Sequence, residues 1–306
     1  MDRIWGYWAA LTVAILFGLW FTLDKILLTY LHPIVLAALT YLIACVTLLA
    51  ITASPFYPRV LRTLHGNKQV EKHISQKDYL ILFFTAIFGA VIAPILSLYG
   101  LSQITAVNAS LLANAEMLFI IIIGIFFLKE KFKRNDLVAF AFIILGILSL
   151  STNNFQNISL SPNLYGNFLV IAAAFFWSLD TSLSKFLSKK RDIVFITGIK
   201  CIIGGIILIT VSMLMGLDFN VHLAQLPLLL MVSMVCLSFS LVLIYFSIRE
   251  IGSTRTGSIY ALSSLFGAII AFLILKEPLY YYQLFFGFLM LLGVFILYKN
   301  QQKSRS

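Results

Sequence analysis

Ten long apolar blocks occupy most of this 306-residue chain, and they decide which solvent its fold faces. Each block has some 17 to 27 residues, near the roughly 20 with which a helix crosses a hydrocarbon core about 30 Å thick. Apolar and aromatic residues make up 61% of the chain and charged residues only 11%, too little to cover a water-soluble surface. The blocks lack the alternation of barrel strands. The sequence therefore predicts an all-α integral membrane protein.

Turn residues between the blocks set the limits of ten predicted transmembrane helices. These helices cover residues 5–31, 33–53, 78–101, 103–128, 135–151, 163–188, 192–216, 223–248, 253–275 and 280–298. Ten crossings place both termini on the same side of the membrane. Because the first block is a full span with Asp24 and Lys25 inside it, we expect it to stay in the protein and not to be cleaved as a signal peptide.

The formal charge of +10 reflects membrane topology and predicts no nucleic-acid partner. Eighteen of the 22 basic residues lie on one side of the predicted membrane, and the opposite loops hold only Lys276. That asymmetry marks the crowded side as cytoplasmic, which predicts a multi-pass protein of the cell membrane with both termini in the cytoplasm. The predicted loop 54–77 would also suit contact with anionic lipid headgroups. The eighteen are Arg3, Arg59, Arg62, Lys68, Lys72, Lys77, Lys129, Lys131, Lys133, Arg134, Lys189, Lys190, Arg191, Arg249, Arg255, Lys299, Lys303 and Arg305.

The sequence predicts no metal site, disulfide framework or cofactor. Its cysteines all lie inside predicted helices, where a thiol usually serves as a small apolar side chain: Cys45, Cys201 and Cys236. The four histidines lie in or beside loops without the spacing of a ligand pair. A glycine-rich phosphate loop is missing as well, so any energy for work should come from gradients or exchange.

The chain repeats itself. The segment LKEKFKRNDLVAFAFIILG from Leu128 aligns without a gap with LKEPLYYYQLFFGFLMLLG from Leu275, 147 residues later. The segment that begins at Gly6 aligns with the one at Gly166 at a shift of 160, and the long 54–77 loop absorbs most of the difference. We therefore predict two five-helix repeats, residues 1–151 and 163–299, followed by a cytoplasmic tail at 300–306.

An odd number of helices per repeat turns the second copy upside down relative to the first. Inverted repeats are typical of alternating-access carriers, in which the substrate site lies near the midplane between the repeats. Duplication that only enlarges a helical bundle is the alternative.

Two motifs, each present once per repeat, give the chain a family resemblance. The first is the opening with Trp5, Gly6 and Lys25, matched by Gly166 and Lys185, and the second is the leucine-x-glutamate that ends at Glu130 and at Glu277. With ten predicted helices, these motifs make the chain resemble the EamA-like family of the drug/metabolite transporter superfamily. The resemblance implies export or exchange of small polar metabolites, commonly amino acids or toxic analogues, through a cavity between the repeats.

Many members of that family carry a proline midway along the fourth helix of each repeat. Met117 and Ser264 stand near those places here.

Glu116 falls near the centre of the fourth predicted helix, where an ionisable side chain is costly in lipid. It is a candidate proton carrier or binder of an amine. An ion pair with Lys25 or Lys200 is the structural alternative.

The first helix of each repeat offers an aromatic beside an acid on one face. Trp20 and Asp24 are one turn apart, and Trp177 and Asp180 share a face in the second copy. We predict that Trp20, Trp177 and Asp180 line a cavity that encloses a substrate and fixes its cationic group. Asp24 lies towards the outer end of its helix and is a lesser candidate, since Trp and Asp near helix ends also serve as interfacial anchors.

Lys25 and Lys185 lie one position off that face, so substrate contact, snorkelling and a bond to a neighbouring helix all fit them. Lys200 is a similar case and could neutralise Asp180. On the ninth helix Tyr260 and Ser263 share a face of mostly small residues, which suits a cavity wall and also close helix packing.

We therefore predict a secondary active transporter that moves a small polar metabolite, such as an amino acid, by efflux or exchange and with a coupled proton as one option. A lipid-handling or structural bundle is the alternative. An intramembrane aspartyl protease fits less well, because such sites carry a tyrosine before one acid and GxGD around the other, while Asp24 and Asp180 both follow leucine. The sequence leaves the substrate, coupling ion and oligomeric state open.

Overall fold

The computed structural model describes residues 4–65, 76–128, 134–151, 162–188, 192–251 and 253–305, and every regular element in these ranges is helical. The N-terminal part contains α1 Ile4–Leu27, α2 Pro33–Ala53, α3 Tyr57–His65, α4 Gln76–Ala86, α5 Ala93–Gln103, α6 Ala106–Leu112, α7 Ala115–Leu128 and α8 Arg134–Ser151. The C-terminal part contains α9 Pro162–Ser188, α10 Ile193–Leu214, α11 Leu226–Leu230, α12 Ser240–Ile251, α13 Ser253–Tyr260, α14 Ser263–Leu275 and α15 Tyr281–Arg305.

The expected all-helical membrane protein is confirmed. Within the described ranges six helical stretches are long and apolar enough to cross a bilayer, and four further apolar helices are shorter. Large apolar side chains cover the outer surface, as on α15, where Phe285, Phe288 and Phe295 are each more than half exposed. Exposed apolar side chains of this kind mark a surface that contacts lipid or another protein. The predicted tail at 300–306 begins as a continuation of α15, which runs to Arg305.

The prediction of a loop over 54–77 is wrong at its start, where α3 forms. This helix is amphipathic: Tyr57 and Val60 pack against the core, one turn apart, while Arg59 is exposed. The Tyr57 hydroxyl also donates to the Asp192 carboxylate, which accepts from the Val194 amide at 3.1 Å and so caps the start of α10. A short amphipathic helix of this kind does not form an apolar block in the sequence, so the pattern of apolar blocks does not predict it.

The fourth and ninth predicted helices are each broken near the middle. The first break falls between α6 and α7 at residues 113–114, and the second between α13 and α14 at residues 261–262, 148 residues later. Neither break needs a proline. The Asn114 side-chain amide donates to Ser264 Oγ at 2.6 Å, which bonds the first break to the start of α14, directly after the second break.

Two other helices widen into π-helical turns at equivalent places. One segment, Ile87–Ile92, joins α4 to α5, and the other, Met231–Phe239, joins α11 to α12. Such turns insert an extra residue into a helix and frequently accompany functional sites. Here the first of them carries Gly89, which lies against the candidate site described below.

The two parts of the chain pack on each other reciprocally. Helix α1 contacts α12 and α14, and its sequence counterpart α9 contacts α5 and α7, the counterparts of α12 and α14. Helix α2 packs on α10, and α8 packs on α15. Each first helix therefore lies among helices of the other part, and the centre of the molecule is built from both.

Glycines make this interlocking close. A Cβ on Gly6 would lie 2.8 Å from Ile251 Cγ2, and one on the equivalent Gly166 would lie 2.7 Å from Ile104 Cγ2. Farther along α1, a Cβ on Gly18 would lie 2.7 Å from the backbone nitrogen of Gly267. Backbone cannot move aside as a flexible side chain can, so α1 and α14 touch at a distance that only glycine permits.

We expect Gly18→Ala to lower the midpoint of thermal unfolding of the detergent-solubilised protein, because overpacking of a tight core costs about 1–3 kcal/mol. Gly198→Ala is the matched control, since the nearest atom to its added Cβ, Leu49 Cδ2, lies at 3.5 Å, an ordinary contact. Equal midpoints for the two variants would contradict the close approach of α1 and α14.

Candidate functional site

A small pocket lies among α1, α2, α5 and α9. Three of these helices come from the N-terminal part of the chain and one from the C-terminal part. The pocket is lined by Trp20, Phe21, Asp24, Ala37, Thr40, Tyr41, Pro94, Ser97, Leu98 and Trp177.

One wall of the pocket continues into an aromatic cluster. The ring centroids of Trp20 and Trp177 are 6.2 Å apart, and Phe17 lies 5.3 Å from Trp20 on one side and 5.3 Å from Tyr260 on the other. The structure thus brings together three of the predicted site residues, Trp20, Trp177 and Tyr260. Phe17, one turn before Trp20, joins them.

Three polar atoms on the pocket lining have no hydrogen-bond partner among the described residues. They are Asp24 Oδ1, Trp20 Nε1 and Thr40 Oγ1. Asp24 is only 6% exposed and Thr40 only 3%. The Trp20 indole approaches the Asp24 carboxyl one turn away on α1 without completing a hydrogen bond to it. Buried polar groups nearly always have partners, so an acid, a donor and a hydroxyl left unpaired around one pocket indicate a place for a polar ligand.

A second polar group lies beside the pocket. Asp180 forms an ion pair with Lys200 and accepts a hydrogen bond from Ser184 Oγ at 3.1 Å. Glu116 accepts a hydrogen bond from Thr181 Oγ1 at 3.0 Å. Among the pairings that the sequence leaves open, the structure joins Lys200 to Asp180 and not to Glu116.

Tyr41 connects this group to the pocket. Its hydroxyl donates to the main-chain oxygen of Gly89 at 2.9 Å, and a Cβ on Gly89 would collide with the Asp180 carboxylate. The π-helical turn at Gly89 therefore lies between a pocket side chain and the ion pair, which puts Asp180 next to the pocket without being part of its lining.

Lys25 has a structural partner. Its ammonium donates to the main-chain oxygens of Leu101 at 2.6 Å and Ile104 at 2.7 Å, at the end of α5. Glu277 completes the arrangement from the other part of the chain, accepting from the amides of Ala106 and Val107, both at 3.0 Å, at the start of α6. A cation at a helix C-terminus and an anion at a helix N-terminus are both favourable. We call this arrangement of Lys25, Glu277 and the α5–α6 corner the corner clamp.

The remaining predicted site residues lie apart from the pocket lining. Glu116 contacts Thr181 as described, and Ser263 lies where α14 meets α1, with its main-chain oxygen 2.9 Å from the position of a Cβ on Gly18. The side chain of Lys185 is outside the described part of the structure, as is Glu130. In the described ranges no three His, Cys, Asp or Glu side chains are grouped to hold a metal ion.

The sequence does not single out the polar residues that α2 and α5 bring to the pocket, and it favours Asp180 over Asp24 as a site residue. A signal for α2 was present: Ala37, Thr40 and Tyr41 share one helical face, and Thr40 and Tyr41 are polar in a largely apolar span. Asp24 was ranked low because it lies near the end of its predicted helix. The pocket reaches towards that end, which places Asp24 in its wall.

Comparison with known proteins agrees with the resemblance. The model of the EamA-like transporter family matches the chain twice, at residues 4–152 and 164–299. An uncharacterized transporter of Methanothermobacter thermautotrophicus is 47% identical over 301 residues, covering 98% of this chain and 88% of the relative. A probable amino-acid metabolite efflux pump of Salmonella typhimurium is 29% identical over 187 residues, covering 60% of this chain and 54% of the relative. The structure also aligns with a solved crystal structure over the full length of both chains, with a TM-score of 0.68 and 13% sequence identity. The two chains therefore share a fold.

We expect Lys200→Met to lower the midpoint of thermal unfolding, because removal of one member of a buried ion pair costs about 3–5 kcal/mol. The two side chains keep 18% and 11% exposure, which favours the lower end of that range. The double variant Asp180→Asn with Lys200→Met should recover much of the loss, since it leaves no unpaired charge. Arg255→Met, at an exposed cation, serves as the control, and a double variant no more stable than Lys200→Met would contradict the pairing.

Proposed function

Because this chain belongs to the EamA-like transporter family, we propose that it is a secondary carrier of the cytoplasmic membrane that moves a small polar metabolite by alternating access. The observation that carries the proposal is the pocket between the two parts of the chain, with its aromatic wall and three unpaired polar atoms. Relatives named as probable amino-acid metabolite efflux pumps favour an amino acid or related compound as the substrate and efflux or exchange as the direction.

The proposed architecture is ten membrane crossings in two inverted five-helix repeats, residues 1–151 and 163–299, with both termini in the cytoplasm. Two matches to one family model support the division. The reciprocal packing of α1 and α9 and the two broken helices at equivalent positions support it as well. Five crossings per repeat invert the second copy, so that each repeat can take the other's arrangement and open the opposite side.

The corner clamp is the part of the structure that would close and open the outer end during this motion. It holds the α5–α6 corner at the end of the bundle that the distribution of basic residues assigns to the outside. Lys25 and Glu277 come from different repeats, so relative motion of the repeats would separate them from the corner. In the proposed cycle the clamp closes the outer end while the pocket communicates with the inner one. Lys25 then acts in closure, and substrate contact is left to the pocket.

The other site residues take different roles in this proposal. Trp20, Trp177 and Tyr260 form the wall against which the substrate packs. Glu116 and Asp180, at membrane depth beside the pocket, are the candidates for coupling, because movement of the repeats would change the partners of each carboxyl. Ser263 permits the close contact of α1 and α14. Lys185 is the proposed inner counterpart of Lys25.

Two other functions fit the same fold less well. An aspartyl protease needs two carboxyls that share a proton about 3 Å apart, whereas Asp180 is paired with Lys200 and Asp24 Oδ1 has no partner among the described residues. A lipid-handling or structural bundle gives no reason for three unpaired polar atoms around one small pocket. We therefore propose a carrier and not an enzyme.

The test is counterflow in proteoliposomes. The purified protein is reconstituted and preloaded with a pool of unlabelled amino acids, amines and related metabolites, and the entry of labelled compounds is followed with and without a proton gradient. We expect at least one labelled compound to accumulate transiently above the level in protein-free liposomes.

Trp177→Ala should lower that flux at least tenfold, because it removes one side of the aromatic wall. Trp5→Ala is the matched control, since Trp5 is 61% exposed on the outer surface, and it should retain the wild-type rate.

Glu116→Gln should abolish the effect of the proton gradient if Glu116 is the coupling residue. A folded protein in sealed liposomes that moves no compound in either direction would contradict the proposed function.

A further inference from the structure

We propose that the pocket selects an organic cation: an amine attached to a flat apolar body and lacking a carboxylate, bound with its ammonium group at Asp24. The inference rests on the proposed carrier function and names the substrate class for the same pocket. It departs from an amino acid as the substrate, because the described side chains around the pocket offer a place for an ammonium group and none for a carboxylate.

Asp24 provides the place for the ammonium group. Asp24 is only 6% exposed, in a pocket whose other side chains are mainly apolar or aromatic, and its Oδ1 has no hydrogen-bond partner among the described residues. An ionised carboxylate in such surroundings is stable only when it is paired. Thr40 Oγ1, also unpaired on the pocket lining, is a second hydrogen-bond acceptor in the same pocket.

The nearby lysines are occupied. Lys25 donates to three main-chain oxygens at the end of α5, and Lys200 is paired with Asp180. The pocket lining itself contains no lysine, arginine or histidine. A substrate carboxylate would therefore enter an apolar pocket beside the Asp24 carboxyl with no described cation to balance it, and the like charges would repel. The other donors of the lining, the Trp20 N–H and the hydroxyls of Thr40 and Ser97, are neutral and supply no positive charge to balance it.

The walls of the pocket suit the flat apolar body of such an amine. Trp20 and Trp177 lie on opposite repeats with ring centroids 6.2 Å apart, and Phe21 and Tyr41 add further aromatic surface. Aromatic faces attract organic cations and stack against flat rings.

Three compounds with the same ring and different charged groups test the proposal: 2-phenylethylamine, phenylalanine and 3-phenylpropionate. Binding of each to the full-length protein in lipid nanodiscs is measured by isothermal titration calorimetry, with quenching of tryptophan fluorescence as a second signal. We expect 2-phenylethylamine to bind at least tenfold more tightly than either carboxylate-bearing compound. Asp24→Asn should weaken amine binding at least tenfold and leave the two others unchanged or improved.

Asp218→Asn is the matched control, because it makes the same chemical change at an exposed loop position where the carboxylate only accepts a bond from the Asn220 amide. It should bind the amine as the wild type does. Thr40→Val, nearly equal in shape, should weaken amine binding by a smaller factor. If Asp24→Asn is not recovered as folded protein, the wild-type preference among the three compounds and the Thr40→Val variant still decide the proposal.

Equal or tighter binding of phenylalanine would overturn the proposed substrate class, and so would unchanged amine binding in Asp24→Asn. Counterflow of the same three compounds separates this failure from failure of the carrier. Movement of phenylalanine without movement of the amine would remove the cation inference and leave the carrier in place. Transient accumulation of 2-phenylethylamine that Asp24→Asn abolishes would support both.

Discussion

The structure depends on one constraint: inside a bilayer, a polar group finds its partner within the protein or remains costly. Most of the described intramembrane groups obey it through contacts between distant parts of the chain. Lys200 pairs with Asp180, Lys25 and Glu277 hold the ends of two helices, and Asn114 bonds to Ser264. Among the described residues, Thr22 and Ser182 also keep an unpaired buried oxygen, but the unpaired atoms of Trp20, Asp24 and Thr40 are grouped around one pocket.

The same contacts explain why the pocket lies where it does. Helices α1 and α9 each pack among helices of the other part of the chain, and glycines at Gly6, Gly18 and Gly166 bring the backbones close. At these glycines the helices are closely packed. Trp20 and Trp177, from the two parts of the chain, meet with their ring centroids 6.2 Å apart and line the pocket. The pocket therefore lies where large rings, and not glycines, form the contact between the two parts.

Much of this could be predicted from the sequence. The apolar blocks gave the helical membrane fold, and the spacing of Trp20, Trp177 and Tyr260 placed these rings on faces that do meet. The partners of the charged residues could not be predicted, because Lys25 bonds to backbone oxygens some 76 to 79 positions away and periodicity carries no information on such distant contacts. The role of Asp24 could not be predicted for a similar reason. The sequence gives its position along α1, but it does not show that α2, α5 and α9 form a pocket around that position.

The central claim is that two like repeats face opposite sides of the membrane around a shared pocket, and labelling of introduced cysteines tests it most directly. Cys45, Cys201 and Cys236 are buried and would be replaced by alanine. Single cysteines are then placed at Ser54 and at Leu214, equivalent positions 160 residues apart that follow or end α2 and α10. In intact cells a membrane-impermeant maleimide should label the cysteine at 214 and reach the one at 54 only after permeabilisation. Labelling of both from the same side would contradict the inverted architecture and the alternating access that rests on it.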